Sequence, residues 1–551
     1  MAKLFVVRGL LLVACSLWLA APLRLCAQSR TMGLMYYDST RTFPGYTLFA
    51  PIVHNVAYLI DNQGRLVHSW NAPSNPSLAV SLLNDGNLLH SGGRPAGDMD
   101  IRNWDNTQRW SFGFSGDSFI RTHDLMMLPN GHILTVAWEL KSEAQALAAG
   151  RDTAKLTSAG LKPAFVVEID TSTNQVVWEW HAWDHLVQDF DSTKQNFGSV
   201  RSHPELVDLN YGMGVTSDPG YFIHFNAVAY NPDLDQVMLS PLMYSEVWVI
   251  DHSTTTQQAR GHTGGRHGRG GDLLYRWGNP ETYRRGDSLR HRMFAQWDPH
   301  WIADSLPGAG HMIAFSSGGH DRRWSDVEEW IAPIDSMGFY HLGLDSTYGP
   351  QNPVWEFRDS TWFFSLKVGS AQRLPNGNTL ICEGLRGTFF EVTHDSQIVW
   401  KYIAPVDSLG PMHQGDSLWE GLNQVFRCCR FGPGFPGFQG RSLVPGDPIE
   451  IYPSGATEPR HTNALGQVRL AAAPSLVRSR AVVVLTLPVL ADVELAVFDC
   501  RGVRVATLTQ GRLPSGQHRF AWDAASAAAG VYFCRLRSGV CELNAKLLKL
   551  E

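Results

Sequence analysis

Histidine and arginine recur at the edges of short apolar runs, at His123, His224, His300, His311, His320, Arg322, Arg323 and Arg373. A neutral imidazole, with an ordinary pKa of roughly 6.5, is a competent nucleophile and proton carrier at ambient pH. Guanidinium presents a rigid fork of donors to anionic oxygens. Together these types suit a reaction in which negative charge builds on oxygen. Each also has an ordinary reading. One histidine among 21 can simply be a hydrogen-bonded loop or strand-end residue, His123 beside Asp124 reads first as a structural His–Asp bond, and Arg322-Arg323 reads also as a solvated pair. Asp184-His185 and Asp251-His252 read as hydrogen-bonded pairs at strand edges, not as a metal cluster. The Gly-rich run Gly261–Gly271 lacks the Gly-Lys-Ser/Thr close of a phosphate loop, and neither a Gly-x-Ser-x-Gly elbow nor an HExxH helix occurs.

The elements that must carry these side chains repeat. Leu83-Asn84-Asp85-Gly86-Asn87, Leu128-Pro129-Asn130-Gly131-His132, Leu306-Pro307-Gly308-Ala309-Gly310-His311 and Leu374-Pro375-Asn376-Gly377-Asn378 each join two apolar runs through a turn. Such turns predict β-hairpins in which both central residues take positive φ. Further apolar runs follow, such as Phe165–Asp170, and then a run closing on an aromatic residue: Trp70, Trp180, Trp277, Tyr402. Four short antiparallel strands per unit, repeated about six times between Gly33 and Tyr402, predict an all-β, six-bladed β-propeller. Histidine and arginine at strand starts would then face the central channel, and the closing tryptophans would be core.

With 551 residues the chain has room for more than one domain. A net charge of −6 argues against nucleic acid or an anionic membrane as the main partner. Lys3 and Arg8 precede the apolar stretch Gly9–Ala21, which predicts a signal peptide over residues 1–27 that is too short for a stable membrane span. Of eight cysteines, Cys15 and Cys26 fall in that leader. Cys382, Cys428, Cys429, Cys500, Cys534 and Cys541 remain, with Cys500 bridged to Cys534 or Cys541 as the favoured disulfide in an exported chain. No zinc-type CxxC pair is present, so a structural metal is not expected. Residues 33–430 are assigned to the propeller and 431–470 to a Gly/Pro-rich linker. Residues 471–551 are assigned to a small Ig-like β-sandwich with strands at 482–487, 493–499, 518–523 and 530–536.

Two resemblances add to this reading. Asp499-Cys500-Arg501-Gly502, Leu513-Pro514-Ser515-Gly516, Ala528-Ala529-Gly530-Val531-Tyr532 and Lys546-Leu547-Leu548-Lys549-Leu550 resemble the C-terminal sorting domains of type IX secretion substrates. That resemblance implies export to the medium or cell surface, with the secretion machinery as partner. Thr122-His123-Asp124-Leu125, His203-Pro204-Glu205-Leu206, His224-Phe225-Asn226, Tyr275-Arg276-Trp277-Gly278-Asn279-Pro280, Gln296-Trp297-Asp298-Pro299-His300 and Gly369-Ser370-Ala371-Gln372-Arg373 lie in order along the chain. Over roughly Gly33 to Glu450 they resemble the aryl sulfate sulfotransferase family of exported six-bladed propellers.

The family resemblance implies transfer of a sulfuryl group from an aryl sulfate to a phenol through a sulfohistidine, with no nucleotide donor and no cofactor. Carried over by position, it implies His224, His300, Arg322 and Arg323 as catalytic residues, one arginine of the last two sufficing. It implies His123, Asn226 and Arg373 as substrate-binding residues. Trp297 stands where the family has a channel histidine, and Ile381-Cys382-Glu383-Gly384 holds none where the nucleophile is expected. His224 and His300 are therefore the candidates for nucleophile. The competing readings are a non-catalytic surface propeller that binds glycans and an aryl sulfate hydrolase.

Overall fold

A computed structural model describes residues 30–71, 78–92, 99–114, 119–212, 222–318, 322–452, 469–473, 476–487, 491–514, 516–538 and 541–550. The expected signal peptide and His320 lie outside the described residues. Arg30–Ile451 forms one compact unit and the chain from Tyr452 onward belongs to another.

The first unit is all-β: among the described residues, six antiparallel sheets of four or five strands follow one another along the chain. Each begins with an inner strand: Val80–Leu82, Phe119–Met127, Phe225–Asn231, Gln296–Trp301 and Gly369–Arg373 open the second to sixth sheets. The first sheet takes its inner strand, Val425–Phe431, from the far end of the chain and pairs it with Tyr46–Pro51. Gly33–Tyr37 in turn completes the sixth sheet beside Ile398–Ile403. Both chain ends are thus woven into sheets built by the other end. Each sheet touches the next, and the sixth touches the first through Gly369–Arg373 and Val425–Phe431.

Alternation and aromatic bulk explain why these strands bury themselves. Trp70, Trp138, Trp180, Trp248, Trp330 and Trp400 are the largest fully buried side chains, and each supplies packing area between neighbouring sheets. The expected hairpins form, with a different turn. Leu83, Leu128 and Leu374 each donate their N–H to the carbonyl four residues on, at 2.8 Å. Only the glycine of each turn (Gly86, Gly131, Gly377) has positive φ, so these are three-residue loops with a glycine bulge, not two-residue turns. The fourth hairpin is longer and closes between Ile302 and His311.

The Gly/Pro-rich stretch is not linker at its start. Phe438 packs with Trp70 and Leu48, Leu66 donates to Asp447 O at 3.0 Å, and Gly446 donates to Leu66 O at 2.7 Å. Glycine and proline here let the chain lie flat against the first sheet, and the first unit runs on to Ile451.

The second unit holds a three-stranded sheet built on Arg480–Leu487 and a five-stranded sheet built on Gly530–Ser538. They share one core that includes Val483, Leu485, Val497, Trp522, Leu536 and Leu547. Strands Arg469–Ala473, Leu476–Val477, Arg504–Leu513 and Cys541–Lys549 join the four expected. Cys500 is exposed and Cys534 buried, and both are free thiols. Cys534 faces the core while Cys500 sits in the turn after its strand, so the expected bridge between those two does not form.

Candidate functional site

Four inner strands break register at the same level. The shift falls between Thr135 and Ala137 opposite Arg121 and Leu125 in the third sheet, and between Phe225 and Val228 in the fourth. It falls between Trp297 and His300 in the fifth, and opposite Phe49 and Pro51 across from Cys428 and Val425 in the first. A bulge leaves an extra residue unpaired and re-aims its side chain. His123 and Asp124, Asn226, Asp298 and Arg427 are the residues so released. Asp298 has φ +54°, and Pro299 beside it could not have donated to the ladder anyway.

These residues meet. The rings of His123 and His224 lie 4.6 Å apart, centroid to centroid. Around them stand Trp138, 4.9 Å from His224, and Trp297 and Phe426, 6.0 and 6.2 Å from His123. Beside them runs an ionic knot, with Asp124 fully buried and Arg427 and Asp298 partly so. Arg427 reaches Asp124 at 2.7 Å and Asp298 at 2.9 Å, and Asp124 also accepts from the N–H groups of Leu125 and Val228. One guanidinium from the first sheet thereby ties the third, fourth and fifth. Burial pushes the Asp298 carboxyl above its ordinary range, with Arg427 opposing. For Arg427 burial works against the charge, but Asp124 and Asp298 outweigh it and raise its pKa. Asn226 donates through Nδ2 to Gln296 O at 2.8 Å, while its Oδ1 is buried without a hydrogen-bond partner.

The other expected residues fall elsewhere. His300 lies past the bulge, half-buried, its Nδ1 donating to Asp298 O at 2.9 Å. Arg322 is at the correct end of its sheet, since Ser316 pairs with both Gln296 and Asp326. Its guanidinium is spent on Asp326, with contacts of 2.6 Å to both carboxylate oxygens, and it lies over the Phe294 ring at 4.6 Å. Arg323 is exposed. Arg373 is at the opposite, hairpin end of its strand, paired with Glu329 and set over Trp355. It repeats Arg430, which pairs with Glu391 and lies over Trp400, so Arg373 reads as a tie between sheets. His311 bonds to that same Glu329 at 2.6 Å. Asp124, expected to hold His123, is occupied by Arg427. His185 bonds to Asp272 instead of Asp184, and His252 to Asp235 and Glu168.

Arg427 carried no sequence signal of a site, and Asp298 entered only as part of the Gln296-Trp297-Asp298-Pro299-His300 element. Arg427 sits in an ordinary strand pattern, and only Pro299, inside a strand, marked the bulge.

The protein is thus an all-β chain of successive antiparallel sheets, with a two-histidine cluster where bulged inner strands converge. Residues 49–258 match the family model described as arylsulfotransferase (ASST). The match spans less than half of the chain and supports a sulfotransferase enzyme at the level of the family. It includes His123, His224 and Asn226 and stops short of His300 and Arg427. A comparison with curated proteins returned no match. Among solved structures, a protein of unknown function from Bacteroides caccae aligns at 11% identity over 70% of this chain and 99% of that one, TM-score 0.38. The Dos1 propeller aligns at 10% identity over 65% and 67%, TM-score 0.29, and a luciferin-regenerating enzyme at 9% over 76% and 100%, TM-score 0.30. No helix among the described residues is long and apolar enough to cross a membrane.

Proposed function

We propose that the chain is an exported six-bladed β-propeller that moves a sulfuryl group from an aryl sulfate to a phenol at the His123–His224 cluster. The observation that carries this is the 4.6 Å approach of two imidazoles from adjacent sheets, walled by Trp138, Trp297 and Phe426 as an aromatic donor requires. In this reading a neutral His224 nitrogen attacks sulfur, an N–S bond forms, and the S–O bond to the aryl group breaks with its electron pair leaving on the phenolate. His123 gives that oxygen a proton. A second phenol then attacks sulfur, the N–S bond breaks, and the acceptor's proton returns to the histidine pair. Asn226 positions the group, its open Oδ1 accepting from the phenol. The tail is proposed as an Ig-like sorting domain read by type IX secretion machinery.

The test is nitrophenyl sulfate turnover with and without phenol. Phenol-dependent release is expected, and His224→Ala is expected to lower it by roughly 10²–10³ or more with its melting temperature nearly unchanged. Phenol-independent release would make the protein a hydrolase. One observation favours a second reading, a propeller that binds without turning over: Arg427, the cation beside the cluster, is already matched by two carboxylates. Absence of release under both conditions would establish that reading.

A further inference from the structure

We infer that His185, His262 and Asp272 form a binding site for one divalent ion of the zinc class, away from the histidine cluster of the proposed transfer site. Their ligand atoms all lie within 4.8 Å of one another. His185 Nδ1 is 2.9 Å and His262 Nδ1 2.7 Å from the same oxygen, Asp272 Oδ1.

The way His185 is held makes the case. Its Nε2 is 2.8 Å from Ala259 O, a carbonyl that can only accept, so Nε2 carries the proton. Nδ1 is the nitrogen turned to the Asp272 carboxylate, at 2.9 Å. Donating the remote N–H to a backbone carbonyl is how metal-bound histidines are commonly held. The ring cannot turn away. It is fully buried and stacked on Trp180 at 5.4 Å, 3° from parallel, with Gly271 pressed against it. A Cβ on Gly271 would lie 2.5 Å from His185 Nε2 and 2.1 Å from Ala259 O.

The Gly-rich run that fails as a phosphate loop has a use here. Gly270 takes φ +57°, and a Cβ there would meet Gly261 O at 2.2 Å. These close turns bring His262 and Asp272, ten residues apart in sequence, to one point. His185 and Asp272 are buried and His262 is exposed, so solvent can enter on one side and complete a tetrahedral shell with water. Two imidazoles and one carboxylate suit zinc and its neighbours, not calcium or magnesium. Bonds of about 2.0–2.1 Å spread tetrahedral ligands to about 3.3 Å, so the Asp272 carboxylate must draw back slightly from His185 and the exposed His262 from Asp272. The ion would join the third sheet's following segment to the loop ahead of Tyr275–Trp277. The other triad of this kind among the described residues, Asp326, Glu328 and Glu356, is already met by Arg292 and Arg322.

The full chain, without an affinity tag and stripped with EDTA, is titrated with Zn²⁺ by thermal melting and with Co²⁺ by visible absorption. One Co²⁺ per chain is expected, with a rise in melting temperature on Zn²⁺ binding, because an ion bound only by the folded state stabilises it. His262→Gln is expected to weaken binding at least ten-fold while leaving the metal-free melting temperature unchanged, since His262 is exposed. His341→Gln, an exposed histidine outside the cluster, is expected to change nothing. Absence of stoichiometric binding, equal affinity in His262→Gln, or equal weakening in His341→Gln would each overturn the inference.

Discussion

The two ends of the inner strands use the same side chains to different effect. At the hairpin end the pattern repeats from sheet to sheet. Glu168, Glu329 and Glu391 occupy matching places on third strands, each taking a bond from its own hairpin: His132, His311 and Asn378. Arg373 and Arg430 reach the last two of these acids from the following sheet. At the bulged end nothing repeats. Each of the four bulged sheets gives a different residue, and those residues converge: His123, His224, Asp298, Arg427. Repetition marks what every sheet needs in order to stack on its neighbour. Departure from repetition marks what one place in the molecule needs.

The strongest way to break this comparison is to remove one arginine from each end. Arg427→Met leaves Asp124 and Asp298 without their cation, and Arg373→Met leaves Glu329 without its own. Stranding a buried charge costs about 3–5 kcal/mol, so both variants are expected to lose stability of that order in urea denaturation. They should part in turnover per folded molecule. Arg373→Met is expected to keep it, whereas Arg427→Met is expected to lose it, because the knot beside His123 and His224 moves. Equal effects on turnover would erase the distinction between the two ends.

What the sequence disclosed follows the same division. The repeat, the hairpins and the tryptophan core were legible because turn chemistry and alternation are local. The order of motifs along the chain singled out His123, His224 and Asn226 as candidates, and the first two lie together in the structure. The carboxylate partners of Arg322 and Arg373 were not legible, because an arginine at a strand end looks alike whether it faces a ligand or a carboxylate. Its partner, Asp326 or Glu329, lies on another strand, and pairing across strands is invisible in one sequence. Arg427 was missed for the converse reason. Its partners Asp124 and Asp298 stand 303 and 129 positions away in the chain, and a bulge, not a motif, aims it at them.

A pH titration sharpens the comparison with a smaller effect, because the hairpin-end cluster around Glu168 favours the charged form of one histidine, His252. Burial opposes the charge on His252, but bonds to Asp235 and Glu168 more than offset it and raise its pKa to about 9. Burial likewise works against the Glu168 carboxylate, and its bonds from His252, Asn130 and His132 lower it to about 2. A raised histidine stabilises fully below its unfolded value, roughly 6.5, and the contribution fades as pH climbs through about 9. For the depressed glutamate the contribution is present above its unfolded value and is lost as pH falls through about 2. The melting-temperature gap between the native chain and His252→Gln is therefore expected to be widest between about pH 5 and 6.5 and to close as pH climbs from there through about 9. A gap that stays constant over that range would mean the ring is not held charged.

The smallest effect separates backbone from packing within the hairpin end itself. Gly86 and Gly131 have nearly the same φ, +81° and +86°, in the same kind of turn. A Cβ on Gly131 meets nothing within 4 Å, whereas on Gly86 it would lie 2.4 Å from Gly437 O. Gly131→Ala therefore carries only the left-handed strain of an L-residue, about 1–2 kcal/mol. Gly86→Ala carries the same strain and also pushes the Gly437 segment off the first and second sheets. The expected order in denaturant is native, then Gly131→Ala, then Gly86→Ala. Equal loss in the two variants would mean that the Gly/Pro-rich stretch does not bear on that turn, and that the first unit ends earlier than Ile451.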